Sequence, residues 1–116
     1  MPDVMRVGFA GAGFAAGFHF ESLGHVKVPG ISPHGVFSRT RDKTERFAAE
    51  RGLKVYDTLE GLLDNVDVVH VCVPAALHEE VTVKALRRNI QVVLEKPYTG
   101  YFGPAGDASF RGNAFP

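Results

Sequence analysis

Apolar runs and stretches of helical period alternate along the chain. Met5 to Ala10 is a short apolar run closed by glycines, which predicts a buried strand. A helix over Gly13 to His25 follows, with Phe14, Phe18 and Phe20 as its large apolar groups. Val26 to His34 contains Pro29-Gly30 and Pro33 and reads as a loop, with a second strand at Gly35 to Ser38 that starts a little earlier. A helix is expected from Arg41 to Arg51, with Phe47 and Ala48 toward the sheet and Gly52 as its stop. Lys54 to Tyr56 is a short third strand. Asp57 or Thr58 then caps a helix bearing Leu59, Leu62 and Leu63. The β-branched run Val68 to Val73 predicts a fourth strand buried on both faces. Leu77, Val81 and Ala85 recur every four residues as one helical stripe, with Arg87 and Arg88 at its C-terminal end. Ile90 to Leu94 is the fifth strand. After Pro97 the period stops.

Five strands separated by helices imply an α/β fold with right-handed crossovers: a three-layer, Rossmann-like, doubly wound parallel sheet of order 3-2-1-4-5. Residues 1–98 form the expected dinucleotide-binding domain. Residues 99–116, rich in Gly and aromatics, read as an irregular tail leading toward a substrate domain, before which the chain is truncated. At 116 residues and 45% apolar content there is one core and no room for a second domain. Basic and acidic residues balance at 13 each, which points away from nucleic acid and anionic membranes. No apolar run approaches the roughly 20 residues of a membrane span, and no secretion signal opens the chain. The single cysteine, Cys72, cannot form an internal disulfide, so a reducing cytoplasm is the expected compartment.

Two stretches carry the chemistry. Gly11 and Gly13 follow the first strand directly, with Ala16 at the third position of a GxGxxA turn. The first glycine permits the tight turn, the second lets a pyrophosphate approach the backbone, and a small third residue lets helix and strand pack closely. The helix N-terminus, at Phe14, Ala15 and Ala16, then offers N–H donors to phosphate. At the end of the second strand, where an acidic residue would bind ribose hydroxyls, the chain has Ser38-Arg39-Thr40. These residues can bind a 2′-phosphate, so NADP is expected over NAD. Glu95-Lys96-Pro97 closes the fifth strand, at the sheet edge where α/β proteins bind ligands.

Taken together, these motifs resemble the N-terminal half of the Gfo/Idh/MocA oxidoreductases, over about residues 5 to 98. Gly11 to His19 is similar to that family's GxGxx(G/A)xxH opening. Val71-Cys72-Val73-Pro74-Ala75-Ala76-Leu77-His78 is similar to its strand-four motif, and Glu95-Lys96-Pro97 matches its EKP signature. Ala75 stands where the family often has Asn, and Ser38 where many members have Asp. The resemblance implies hydride transfer between nicotinamide and a sugar-like or polyol substrate. It implies that Lys96 is catalytic, positioning or polarising the substrate oxygen. Glu95 would shape the cofactor site, and Pro97 would fix the strand end through a cis bond. Val73, Pro74 and His78 would complete the cofactor contacts. The family's acid–base histidine comes from its second domain, so the chain alone is expected not to turn over.

The remaining groups have plainer readings. His70 is expected as a satisfied core residue, His25 and His34 as surface groups, and His19 and His78 as orienting residues. No histidine pair has ligand spacing, so no metal site is expected. Cys72 reads as a small core hydrophobe. An uncovered sheet edge and apolar face should favour a homo-oligomer. A non-catalytic nucleotide-binding module is the rival function, and a methyltransferase using the same glycine turn a weaker one; Lys96 argues against both.

Overall fold

The computed structural model describes residues 4–98. The chain runs β1 (Met5–Ala10), α1 (Phe14–Leu23), β2 (Ile31–Phe37), α2 (Arg41–Arg51), β3 (Lys54–Val55), α3 (Leu59–Leu63), β4 (Val68–Val71), a 3-10 turn (Ala75–Leu77), α4 (His78–Leu86) and β5 (Gln91–Leu94). The sheet has order β3-β2-β1-β4-β5, and every pairing is parallel. This is the predicted doubly wound order. The expected tail, 99–116, lies outside the described residues.

Strand alternation divides the core into two layers. Val7, Phe9, Val36 and Val68 face α1 and α2, where they meet Ala16, Phe47 and Ala48. Ala10, Val69 and Val71 face α3 and α4, where they meet Leu62, Leu63, Val81 and Ala85. Neighbouring residues of one strand therefore feed opposite layers, as a period of two demands. Phe9, Val36, Leu62, Val69 and Val71 are fully buried. The helix boundaries have local causes. Thr58 caps α3, its Oγ1 accepting from the Gly61 N–H at 2.9 Å. Gly52 stops α2 in the left-handed region at φ 68, its N–H returning to the Ala48 carbonyl.

Four expectations need correction. Residues 31–34 belong to β2 rather than to a loop. Pro33 is tolerated because β3 pairs only with Gly35 and Val36, leaving the first half of β2 with a neighbour on one side. The register shifts between Val7 and Gly8, and His34 falls in the resulting bulge. His34 is accordingly no surface group: it is half-buried, with Nε2 2.6 Å from the Tyr56 hydroxyl. In β4 the strand ends at Val71. The Cys72 N–H still reaches the Ala10 carbonyl at 2.8 Å, but Pro74 then turns the chain. In α1 the core face is Ala16, Phe20 and Leu23, spaced four and three apart. Phe14 and Phe18 lie on the other side, 89% and 62% exposed, with stacked rings.

Candidate cofactor site

A cleft of about 770 Å³ opens at the carboxyl ends of β1, β2 and β4, at the switch point where the chain order reverses. Its floor is the glycine turn. Gly11 has φ 112, and a Cβ there would sit 2.4 Å from the Cys72 carbonyl oxygen, so only glycine lets β1 pass beside the end of β4. Gly13 meets the opposite situation. A Cβ there would find only the Lys43 ammonium, 3.6 Å away, so its missing side chain leaves space that belongs to the cleft. Gly13 precedes α1 without a side-chain cap, and the first turn carries no acidic residue. The orphan N–H groups at Phe14, Ala15 and Ala16 are thus left for an anion. Ala16 itself is fully buried against the sheet.

The wall at the end of β2 is cationic. Arg39 and Thr40 are exposed and line the cleft with Ser38. The Thr44 hydroxyl donates to the Thr40 carbonyl at 2.7 Å, and the Ser38 hydroxyl touches Thr44 Oγ1 and reaches the same carbonyl at 3.4 Å, so its proton is engaged within the chain. Ser38 is left with acceptor capacity, which suits a ribose hydroxyl better than a phosphate oxygen. The donors that suit phosphate are Arg39, Thr40 and Lys43. Lys43 lines the cleft from the first turn of α2 and escaped the sequence reading because it lies outside the strand-end triplet. The acids of the cleft are occupied: Asp57 pairs with Arg41, and Glu60 and Glu80 pair with Lys84 at 3.1 and 3.5 Å. Among the described residues, no ion pair engages Arg39 or Lys43, so the wall presents net positive charge.

Cys72 and Val73 also line a second hollow of about 270 Å³, shared with Phe14, Ala15, Phe18, Ala75, His78, Glu95 and Lys96. The two spaces meet at Cys72 and Val73, one reaching to the end of β2 and the other to the end of β5. Ala75 opens the 3-10 turn after the exposed Pro74. The Lys96–Pro97 bond is cis. His78 is 2% exposed, with Nδ1 2.6 Å from the Pro97 carbonyl and Nε2 2.9 Å from the Val73 carbonyl. It ties the loop after β4 to the loop after β5. On the other face of the sheet, Nε2 of His19 lies 2.7 Å from Glu95 Oε1. That hydrogen bond, above all, holds the Glu95 carboxyl below the usual range, with smaller help from the Lys96 backbone N–H and charge. His70 contacts His19 rather than sitting satisfied in the core alone, and burial drives its pKa down to about 4. The Cys72 thiol is pushed up to about 12 by burial, then by the Glu95 charge, which fits an inert hydrophobe and no nucleophile. Lys96 is exposed at the mouth of this end.

A family model described as "Oxidoreductase family, NAD-binding Rossmann fold" matches residues 5–106. The chain belongs to the Gfo/Idh/MocA oxidoreductase family. The match extends past Tyr98 into the stretch assigned to a tail. Inositol 2-dehydrogenase 4 of Saccharopolyspora erythraea is 34% identical over 98 residues, covering 82% of this chain and 29% of its own. The crystal structure of GenD2 from gentamicin A biosynthesis, in complex with NAD, is 31% identical with a TM-score of 0.76, over 85% of this chain and 28% of that one. Biliverdin reductase from Synechocystis sp. PCC 6803, solved with biliverdin and NADP+, is 25% identical with a TM-score of 0.74, over 82% and 30%. The chain thus spans about three tenths of the relatives it matches. What it contains is the family's nicotinamide-dinucleotide-binding Rossmann domain. Among the described residues no helix is long and apolar enough to cross a membrane, and no group of three His, Cys, Asp or Glu could hold a metal ion.

Proposed function

We propose that the chain is the cofactor domain of an NADP-preferring oxidoreductase that acts on a hydroxyl-bearing or carbonyl carbon of a sugar-like or polyol substrate. The observation that carries this reading is a pair of hollows adjoining at Cys72 and Val73, one with donors suited to phosphate at the end of β2 and the other with Lys96 at the end of β5. Bound there, the dinucleotide would supply a nicotinamide carbon that accepts or donates hydride. The residues of the chain do the rest. Gly11 and Gly13 open the floor, and the N–H groups of Phe14 and Ala15 hold the pyrophosphate. Arg39, Thr40 and Lys43 hold the 2′-phosphate, and Ser38 accepts from the ribose. Val73 and Pro74 wall the middle of the groove. Lys96 offers an ammonium to the substrate oxygen and stabilises negative charge growing on it. Glu95, Pro97 and His78 fix the backbone on which Lys96 stands.

Cofactor choice is the sharpest test. NADPH should bind more tightly than NADH in fluorescence titrations, and Arg39→Ala should remove most of the difference, about 1–3 kcal/mol. Equal affinities for the two would reject the NADP preference. In the whole enzyme, Lys96→Ala should lower turnover far more than cofactor affinity. Self-association belongs to the same reading, supported by the stacked and exposed Phe14 and Phe18. Sedimentation of the wild type against a Phe14→Ser/Phe18→Ser variant tests it, and an unchanged monomer in both would reject it. A cytoplasmic setting fits the lone, inert thiol of Cys72.

A further inference from the structure

We propose that His19 is a positioning residue for Lys96, acting through the Glu95 carboxylate and held in place by His70; this rests on the reading of Lys96 as the residue at the nicotinamide end of the groove. Three elements meet in one line of side chains. His19 projects from α1, His70 from β4, and Glu95 follows β5. Nε2 of His19 is 2.7 Å from Glu95 Oε1, and its Nδ1 is 2.9 Å from Nδ1 of His70. The two rings stand nearly perpendicular, at 82°. Both nitrogens of His19 are engaged, so turning the ring over would put carbon atoms against both partners. Its side chain is only 12% exposed.

The protons can be assigned. Glu95 is ionised at neutral pH and can only accept, so the His19 Nε2 carries a hydrogen and donates it. One hydrogen lies between the two Nδ1 atoms, so only one of the two rings donates there. His70 favours the neutral form, which makes it a support for the ring and a poor exit for a proton.

The consequence for Lys96 is geometric. It stands between two residues, each gripped by a histidine from a different helix. Glu95 is held by His19 from the α1 face, and Pro97 by His78 from the α4 face. The His78 grip lands on backbone. The His19 grip lands on a charged side chain and adds a fixed hydrogen-bond partner next to the lysine. Neither of the glycine fingerprint's phosphate functions uses His19.

The test uses this chain, isotopically labelled, and two substitutions that copy one ring nitrogen each. His19→Gln places an N–H near the position of Nε2 and can still reach Glu95. His19→Asn reaches no farther than the position of Nδ1 and cannot. In His19→Asn the amide signals of Lys96 and Tyr98 should move, while His19→Gln should keep them near the wild-type positions. NADPH affinity should fall about three- to tenfold in His19→Asn, the scale of one hydrogen bond, with 2′-phospho-ADP-ribose affinity unchanged because that ligand lacks the nicotinamide. His70→Phe, which removes the second support of the ring, should move the same two amides by less. A Lys96 amide that stays put in His19→Asn, or Asn and Gln variants that shift alike, would overturn the proposal. If His19→Asn does not fold, His70→Phe decides on the same criterion. Failure of the wild type to bind either ligand would instead overturn the functional reading and leave the amide comparison standing.

Discussion

The two ends of the groove are built on different principles. The phosphate end is made of backbone and of consecutive residues: a glycine turn, a helix start without a cap, and a strand end carrying Ser38, Arg39 and Thr40. The Lys96 end is made of side chains brought together from α1, β4, α4 and the loop after β5. Its contacts join residues far apart in the chain, 19 apart between His78 and Pro97 and 76 apart between His19 and Glu95. The phosphate end needs space and positive charge, which local chain geometry can supply. The Lys96 end needs one flexible side chain held at one place, which takes grips from both faces of the sheet. The first should therefore fail through steric change and the second through titration and loss of hydrogen bonds.

The largest expected effect separates two glycines at the phosphate end. Gly11→Ala puts a Cβ against the Cys72 carbonyl at φ 112. It should cost about 3 kcal/mol or more of stability in chemical denaturation. Gly13→Ala meets only the tip of Lys43, so stability should change by no more than about 0.5 kcal/mol. Dinucleotide affinity in that variant should still fall about tenfold. Equal loss of stability in both would break the distinction between a structural and a ligand-facing glycine.

The next effect belongs to the Lys96 end. Burial holds His70 at about 4, below its value of 6.5 in an unfolded chain. The folded state thus favours the neutral ring. That contribution is complete above pH 6.5 and is lost as pH falls from 6.5 toward about 4. Allowing for solvent screening, the loss is about 1–2 kcal/mol. His34, also depressed by burial and by Arg6 and Lys54, acts in the same direction. Denaturation midpoints measured across this range should fall with acid, and His70→Phe should flatten the slope. A slope unchanged in that variant would place the titration elsewhere.

Lys43→Ala should weaken NADPH by about 1 kcal/mol and leave NADH unchanged, the mark of a group that meets the 2′-phosphate. The smallest change is Thr58→Ala, which removes the cap of α3. It should cost at most about 1 kcal/mol of stability and leave the Lys96 amide signal unmoved.

The sheet order and the glycine turn were legible because they depend on local signals: strand-length apolar runs, the Leu59/Leu62/Leu63 and Leu77/Val81/Ala85 stripes, and glycines at a strand end. The start of β2 was hidden by Pro33, since a proline is compatible with a strand only where one neighbour is missing, and that is a fact of pairing. The exposed faces of Phe14 and Phe18 were hidden because helix α1 has large apolar groups on more than one side, so period alone does not choose the buried face. The positions of Lys96 and of Ser38-Arg39-Thr40 beside the two hollows could be read from the strand ends they follow. Lys43 could have been found by asking which residue lies in the first turn of the helix that follows the triplet. The His19–His70 contact had no sequence signal, because it depends on the crossing of α1 over β4.

On this reading one dinucleotide spans both hollows, from the glycine turn to Lys96. Titration of the labelled chain with NADPH tests it most directly. The amide signals of Gly13, Phe14 and Lys96 should move in a single binding event, and 2′-phospho-ADP-ribose should move Gly13 and Phe14 but leave Lys96 in place. A titration in which NADPH leaves Lys96 unmoved while saturating the glycine turn, or moves neither, would contradict it.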